Sequence, residues 1–523
     1  MTMKKIITLV LIGSIFISCT DLDLKPATGT TANFTFTDAL SYKQYMAKIY
    51  GAYMLTGQDG PAGNADLALV NDEGFTSYMR AYWKAQQITT DETHLTWTDG
   101  GIQDMNQQTW TSENQFVRVL YYRLALIISL SNDFLEQASP TNMEANGIDA
   151  TEIAEINEFS NEVRFLRALA YWHALDLFRN IPLVTEITTE APSQATPDQL
   201  FSFIESELSD IESKMYSPKM NEYGRADQGA VWMLQAKLYL NAEVYTGTAK
   251  YTECLTAVNK VINSSYSLKP NYLENYMADN HTSNELIFNF ISDGLNSQSW
   301  GGTTFLVHAP ILGTMDPALY GVDAGWSGVR ATSVFVNKFA DITGTTDKRA
   351  IFVTDGRSIE IPLPNDNATI GGYGVPKYTN LNSDGTVGSH PTYPDTDWPV
   401  FRLADAYLMY AEAVLRGGAG GDAATALGYV NDLRQRAYGD GSGNISSVEL
   451  TLDFLLDERS REMYWEASRR VDLIRYNQFT TAGVWPWKGG VEFGKTTDAK
   501  YNIFPIPSTD LAANPNLKQN PGY

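Results

Sequence analysis

The sequence predicts a mainly α-helical fold, in which a scaffold of tetratricopeptide-like helical repeats carries long irregular loop regions and short β segments. Several segments repeat apolar side chains at the spacing of an amphipathic helix. These segments come in pairs that are separated by short breaks. Between the pairs, two long ranges at about 55–115 and 265–400 are rich in glycine, asparagine, aspartate, threonine and aromatic residues.

The first predicted scaffold helices lie in the ranges 157–178 and 226–262. The first range carries one apolar stripe, formed by Val163, Leu166, Ala170, Ala174 and Leu177. The second range carries two stripes in succession, Ala230, Leu234 and Leu238, then Leu255, Val258 and Ile262. A helical hairpin of this kind buries its apolar face by stacking on its neighbours, so repeated pairs indicate a curved helical scaffold.

A further helical hairpin is predicted between residues 403 and 437. Its first helix covers 403–416, where apolar residues follow the helical spacing: Leu403, Ala406, Tyr407, Tyr410, Ala411 and Val414. Four glycines between 417 and 421 end this helix, and a second apolar face follows over 426–437. The pair is close to the tetratricopeptide period of about 34 residues.

The range 456–475 is dense in charges of alternating sign. The spacings Asp457–Arg461 and Glu466–Arg470 place opposite charges one helical turn apart, where they suit ion pairs. We therefore predict a salt-bridged helix that packs against the scaffold and has a structural rather than a catalytic role.

The first eighteen residues have the features of an export signal. Lys4 and Lys5 supply a positive start, and the apolar stretch 6–17 is shorter than the about 20 residues that a transmembrane helix needs. The stretch ends at Ser18-Cys19, which resembles the site at which bacterial lipoproteins are cleaved and lipidated on cysteine. An ordinary cleaved signal that contains a cysteine by chance is the alternative.

The predicted organisation is, in chain order, a lipoprotein signal peptide at 1–18, a lipidated Cys19 with a tether over 19–33, and a single domain over 34–523. The chain has two cysteines. If Cys19 carries lipid, Cys254 is left alone and no intrachain disulfide forms. The fold then depends on its core, which a hydrophobic content of 43% can supply.

The net charge of −23 limits the class of ligand. Nucleic acids and anionic lipid head groups are bound through basic patches, which so acidic a chain disfavours. A neutral ligand fits the composition better.

Three tryptophans, Trp97, Trp300 and Trp326, lie in polar, glycine-rich loop segments. A flat indole offers a surface on which the apolar face of a sugar ring can stack. Each tryptophan alone is equally compatible with a half-buried structural role, but three together favour a binding surface. We expect the loops, with short β segments such as 286–290, to form a ligand face on the helical frame.

Short motifs follow one another in order along the mature chain. They are FLRALAYW at 165–172, IPLV at 181–184, RLADAYLMYAEA at 402–413, DERSRE at 457–462, DLIR at 472–475, FPIP at 504–507 and NPGY at 520–523. In this order, and behind a lipidation site, they resemble the SusD/RagB family of outer-membrane glycan-binding lipoproteins. The resemblance covers the whole mature chain.

Further loop motifs are similar to those of a starch-binding member of this family. They are NDEG at 71–74, TDE at 90–92, GGT at 301–303, YPDTD at 393–397 and WPWK at 485–488.

The resemblance implies that Trp97, Trp300 and Trp326 form an aromatic arc around an α-glucan and that Asp72 and Arg80 bind its hydroxyl groups. At the middle position of the arc the family member has tyrosine, and Trp300 keeps a stacking face there. A third polar contact, an asparagine in the relative, falls on Gly100, so this contact is lost unless Asp99 replaces it.

The function implied is capture of starch or another α-glucan (maltooligosaccharide) at the cell surface and delivery to a SusC-like, TonB-dependent outer-membrane transporter. The protein would be held to the outer membrane by its lipid anchor alone and face the cell exterior. From the residues themselves we expect no catalytic residue, metal ion or cofactor, and the acidity of the chain disfavours a nucleic-acid partner.

Three alternatives remain open: a related binder of a different glycan, a scaffold that binds only a partner protein, and a surface glycoside hydrolase. Hydrolysis needs a general acid and a second carboxylate. Asp72 and Glu73 are the carboxylates nearest the predicted arc, but adjacent side chains on an extended loop point apart. An Arg80 partner would also keep Asp72 ionised, which does not suit a general acid.

Overall fold

The computed structural model describes residues 35–58, 60–61, 65–67, 72–365 and 370–523. The predicted signal peptide at 1–18, the lipidated Cys19 and the tether over 19–33 lie outside the described residues. The proposal of a single domain over 34–523 stays a prediction.

Helices predominate, and the strands are short. In chain order, the α-helices are α1 (Ala39–Gly51), α2 (Tyr78–Trp83), α3 (Ile102–Gln107), α4 (Gln115–Gln137), α5 (Pro140–Ala145), α6 (Ala150–Phe178), α7 (Pro197–Ile211), α8 (Gln228–Leu240), α9 (Ala242–Thr246), α10 (Tyr251–Ile262), α11 (Gly302–His308), α12 (Ser333–Val336), α13 (Leu403–Leu415), α14 (Ala423–Tyr438), α15 (Leu452–Met463), α16 (Arg469–Arg475) and α17 (Ser508–Ala513). The strands are β1 (Thr93–Leu95), β2 (Leu286–Phe290), β3 (Val329–Ala331) and β4 (Trp398–Arg402).

The scaffold is a row of long helices in which each packs on the next, in the order α4, α6, α7, α8, α10, α13 and α14. Helix α6 begins with a capping box between Asp149 and Glu152, and it is buried at every residue from Phe165 to Phe178. A helix buried on all sides belongs to the centre of a fold. The mainly helical fold and the stacked helical hairpins predicted from apolar spacing are confirmed. Within the described ranges no helix combines the length and apolar composition that crossing a membrane requires.

Two antiparallel strand pairs connect the loop regions to this scaffold. Strand β1 pairs with β3, with Leu95 opposite Val329. Strand β2 pairs with β4, with Leu286 opposite Arg402. Trp97 follows β1 and Trp326 precedes β3, so the first pair brings their loops side by side. The chain runs from the end of β2 to Trp300, so the second pair holds the base of that loop.

A buried network of ion pairs joins β4 to the end of α15. The Arg402 guanidinium donates to the carboxylates of Glu285 at 2.9 Å, Glu462 at 2.7 Å and Glu466 at 2.7 Å. Arg349 donates to Glu458 at 2.8 Å and to Glu462 at 3.1 Å. All of these side chains are buried. A buried charge is tolerated only when it is fully paired and hydrogen-bonded, so these groups depend on one another.

The two ion pairs predicted from helical spacing are wrong, although the structural role of the segment is right. Asp457 pairs with Lys338, and Arg461 pairs with Glu458 on its own helix. The segment is also two helices, since Trp465 and Ala467 adopt positive φ angles of 61° and 58° between α15 and α16. Glu466 therefore lies outside both helices and reaches Arg402, while Arg470 pairs with Asp176.

We expect Arg402→Met to lower the free energy of unfolding by about 3–5 kcal/mol, because it removes a shared cation from three buried carboxylates. Urea denaturation followed by circular dichroism measures this change. The control is Lys43→Met, which breaks a solvent-exposed pair with Glu222 and should cost less than about 1 kcal/mol. Equal effects of the two substitutions would contradict the importance of the buried network.

We expect the stability to fall as the pH drops from about 4.5 to about 2. Burial alone would raise the pKa of Glu458, but the guanidiniums of Arg349, Arg461 and Arg434 together lower this pKa to about 2. A carboxylate whose pKa is lowered by folding stabilises the protein above its unfolded pKa, and this stabilisation is lost as the pH falls through the folded pKa. The urea midpoint measured across this range should decrease. It should decrease less steeply in Glu458→Gln, and a parent midpoint that stays constant would contradict the argument.

Candidate functional site

The three loop tryptophans lie together as one cluster of half-buried rings. The ring centroids of Trp97 and Trp326 are 6.4 Å apart, and those of Trp326 and Trp300 are 6.2 Å apart. The ring planes are inclined by 44° and 53°, so the three indoles change direction from one to the next. We refer to Trp97, Trp326 and Trp300 as the indole cluster.

Backbone contacts continue the β1–β3 pair and hold Trp97 against Trp326. The Thr96 amide donates to the Gly328 carbonyl at 3.1 Å, and the Trp97 Nε1 donates to the Trp326 carbonyl at 3.2 Å. Gly328 permits this approach, because a Cβ atom there would lie 2.5 Å from the Trp97 ring. Glycine at position 328 is therefore a packing requirement.

Trp300 is held by the short helical turn at Glu73–Thr76. The Glu73 carboxylate accepts hydrogen bonds from the Trp300 amide at 3.1 Å and from the Ser299 hydroxyl at 3.0 Å. A Cβ atom at Gly74 would lie 2.6 Å from the Trp300 carbonyl oxygen, so this position also requires glycine. Burial raises the pKa of Glu73, and the hydrogen bonds from Trp300 and Ser299 oppose that increase.

Trp326 rests on a buried imidazole. The His308 ring stacks on the Trp326 ring with centroids 4.9 Å apart and planes inclined by 21°. Its two ring nitrogens lie 2.7 Å from the Ala324 carbonyl oxygen and 2.8 Å from that of Thr392. These contacts hold the imidazole against one face of the indole.

Arg80 lies beneath the indole cluster and is only 3% exposed. Its guanidinium donates to the Trp300 carbonyl at 3.1 Å and lies 5.6 Å from the centroid of the Trp97 ring. Burial lowers the pKa of Arg80 to about 10, against the opposing effect of nearby carboxylates, chiefly Asp72. Asp72 itself is exposed, and its carboxylate is 3.9 Å from the guanidinium.

The fold thus brings together all six residues predicted for the site. Trp97, Trp300 and Trp326 form the indole cluster, and Arg80 lies below it. Asp72 and Asp99 are close enough to Arg80 to affect its pKa. Their contacts with a ligand stay predictions.

Sequence reasoning missed three side chains that shape this cluster. From the sequence, Glu73 is only a possible catalytic carboxylate, His308 is one of five scattered histidines, and Tyr393 is only part of a motif. The Tyr393 ring lies 5.1 Å from that of Trp300. One signal could have identified it: like the three tryptophans, it is an aromatic residue in a polar loop.

Acidic side chains are abundant in this sequence, which has 61 aspartate and glutamate residues, whereas histidines number only five. The described ranges nevertheless contain no group of three or more histidine, cysteine, aspartate or glutamate residues arranged to hold a metal ion.

Comparison with known proteins identifies the family. The model of the SusD family matches residues 266–523. Starch-binding protein SusD of Bacteroides thetaiotaomicron is 35% identical, and the alignment covers 96% of this chain and 95% of that protein. The chain therefore belongs to the SusD family.

Solved structures agree with this fold. A SusD superfamily protein from Bacteroides vulgatus superposes with a TM-score of 0.71 at 20% identity, covering 93% of this chain and all of that one. Surface glycan-binding protein A from Bacteroides thetaiotaomicron, solved with laminarihexaose, gives a TM-score of 0.68 at 18% identity. That superposition covers 92% of this chain and 98% of the other.

We expect Gly328→Ala to displace the Trp97 ring and to lower the free energy of unfolding by roughly 1–3 kcal/mol, because the added methyl group overlaps the indole. Near-ultraviolet circular dichroism reports the indole packing, and urea denaturation reports the stability. Gly100→Ala is a matched control, since its nearest neighbouring atom would be 3.7 Å away. An unchanged spectrum in Gly328→Ala would contradict the described packing.

Proposed function

We propose that this chain binds starch-type α-glucans at the cell surface on the indole cluster and passes them, unchanged, to a SusC-like, TonB-dependent transporter. The relative with 35% identity over almost the whole chain is a starch-binding protein by name, which supports the choice of ligand. One observation carries the proposal: three indoles from separate loops meet in one cluster.

The indole cluster suits the shape of an α-1,4-glucan. Such a chain coils, with apolar sugar faces on one side and hydroxyl groups along its edges. The changing inclination of the three rings can follow that curvature. Each stacked sugar would contribute roughly 1–3 kcal/mol, by analogy with the stacking of bases on aromatic side chains.

The polar groups have unequal roles in this proposal. The Asp72 carboxylate is exposed beside the rings and is available to sugar hydroxyls. Arg80 supports the rings from below and holds the Trp300 carbonyl, so we assign it mainly to positioning. Gly100 provides no side chain, and Asp99 is the neighbouring polar group that takes over this contact.

Binding without hydrolysis fits the arrangement of the two nearest carboxylates. The Glu73 side chain accepts hydrogen bonds from Trp300, Ser299 and Thr56. These bonds use the carboxylate to hold the Trp300 loop in place. The Asp72 side chain accepts from the Phe75 amide at 3.3 Å and begins the helical turn. Both carboxylates thus have structural partners, and we propose that neither acts as a catalytic acid.

The remaining parts of the proposal rest on family membership and on the sequence. We propose that Cys19 is lipidated, that the protein is anchored by that lipid to the outer membrane, and that it faces the exterior. Delivery to the transporter belongs to the same proposal. A different glycan at the same rings is the alternative for the ligand.

We expect Trp326→Ala to abolish binding of maltoheptaose and to leave the fold intact, since this indole is the middle ring of the cluster. Isothermal titration of the lipid-free protein measures the binding, with cellohexaose as a control ligand of straighter shape. Trp232→Phe is the control variant, because Trp232 belongs to scaffold helix α8, where it donates to Glu212, and not to the loops of the indole cluster.

Three results would count against this function. Normal binding by Trp326→Ala would remove the indole cluster from the site, and saturable heat with cellohexaose alone would reassign the ligand. Shorter sugars in the titration cell would establish hydrolysis in place of simple binding.

A further inference from the structure

The row of aromatic rings does not end at the indole cluster. The Tyr393 ring lies 5.1 Å from the Trp300 ring, and the His390 ring lies 5.0 Å from that of Tyr393. Each ring thus contacts the next in the order Trp97, Trp326, Trp300, Tyr393 and His390. Both additional side chains are half-buried, as the three indoles are.

The turn that carries Tyr393 is fixed by a carboxylate. Asp395 accepts hydrogen bonds from the Ser389 amide at 2.6 Å, the Ser389 hydroxyl at 2.7 Å and the Gly294 amide at 2.7 Å. These bonds tie the turn to the loop that leads from β2 to Trp300. Tyr393 and Trp300 are therefore held relative to each other before any ligand arrives.

Within the turn, the backbone approaches the imidazole of His390. Its Nδ1 accepts hydrogen bonds from the amides of Thr392 at 3.1 Å and Tyr393 at 3.2 Å. Substitution of His390 would thus disturb the turn itself, whereas the Tyr393 side chain can be changed without removing these bonds.

The Tyr393 hydroxyl is a free hydrogen-bonding group. No residue in the described part of the chain accepts a hydrogen bond from it. Burial, together with the charges of Glu73 and Asp323, raises the pKa of Tyr393, so the hydroxyl stays protonated. A ring with an unused hydroxyl at its edge can stack on a sugar and bind a hydroxyl of the same sugar.

We propose that Tyr393, supported by His390, forms an additional sugar subsite next to Trp300, so that the ring row prefers glucan chains longer than the indole cluster alone can hold. This inference rests on the proposed function, because it extends the same site. It makes Tyr393 a residue that determines preference for chain length. A short oligosaccharide fills the indole cluster, and only a longer one reaches Tyr393.

Isothermal titration with maltotriose and maltoheptaose tests this inference in the parent protein, Tyr393→Ala and Tyr393→Phe. We expect Tyr393→Ala to weaken maltoheptaose binding about tenfold, equivalent to about 1.4 kcal/mol, and to leave maltotriose binding unchanged. Tyr393→Phe keeps the stacking face and should retain most of the preference for the longer chain. Near-ultraviolet circular dichroism checks that Trp300 keeps its environment in each variant.

The outcomes separate this inference from the function on which it rests. If the parent binds both sugars but Tyr393→Ala binds maltoheptaose equally well, the subsite is wrong and the starch-binding proposal stands. If Tyr393→Ala weakens both sugars equally, Tyr393 only supports Trp300 and the subsite is again wrong. If the parent binds neither sugar, both proposals fall together.

Discussion

The Arg402 guanidinium and its three carboxylates hold the helical scaffold and the loop region together. Arg402 ends β4 and immediately precedes α13, Glu285 immediately precedes β2, and Glu462 belongs to α15. One buried cation therefore connects the base of the strand pair to two helices. Removing one partner of a buried ion pair is strongly destabilising, so the parts of this junction depend on one another. Because β2 leads towards Trp300, the position of that indole depends on the junction.

The loops are held by side chains that replace the backbone bonding of regular structure. Glu73 and Asp395 each accept hydrogen bonds from two loop segments, and His308 reaches two carbonyl oxygens. A loop fixed in this way has little conformational entropy left to lose when a ligand binds. Such preorganisation favours the binding of a weakly interacting ligand to a row of half-buried rings.

Local and distant features of the fold differ in how far the sequence could predict them. Apolar spacing predicts helices over 157–178 and 403–416, and the structure has them at Ala150–Phe178 and Leu403–Leu415, because a helical stripe is a property of neighbouring residues. The indole cluster was also predictable, since tryptophans in glycine-rich loops are unusual. The ion-pair partners of Asp457 and Glu466 could not be predicted, because Lys338 and Arg402 come from distant parts of the chain. The burial of Arg80 depends on rings from three loops, so no local pattern reports it.

The molecule is strongly acidic, but its ring cluster offers mainly aromatic surface. The chain carries a net charge of −23, yet the Glu73 carboxylate accepts a hydrogen bond from the Trp300 amide, and Arg80 lies buried beneath the rings. In the proposed function, the rings would thus be the main surface that a ligand meets, and Asp72 is an exposed carboxylate 3.9 Å from Arg80. Stacking on rings recognises the apolar face of a sugar and the curvature of its chain, and needs no charge on the ligand. We therefore infer that the site discriminates by shape and length, while the acidic surface repels anionic polymers of similar size.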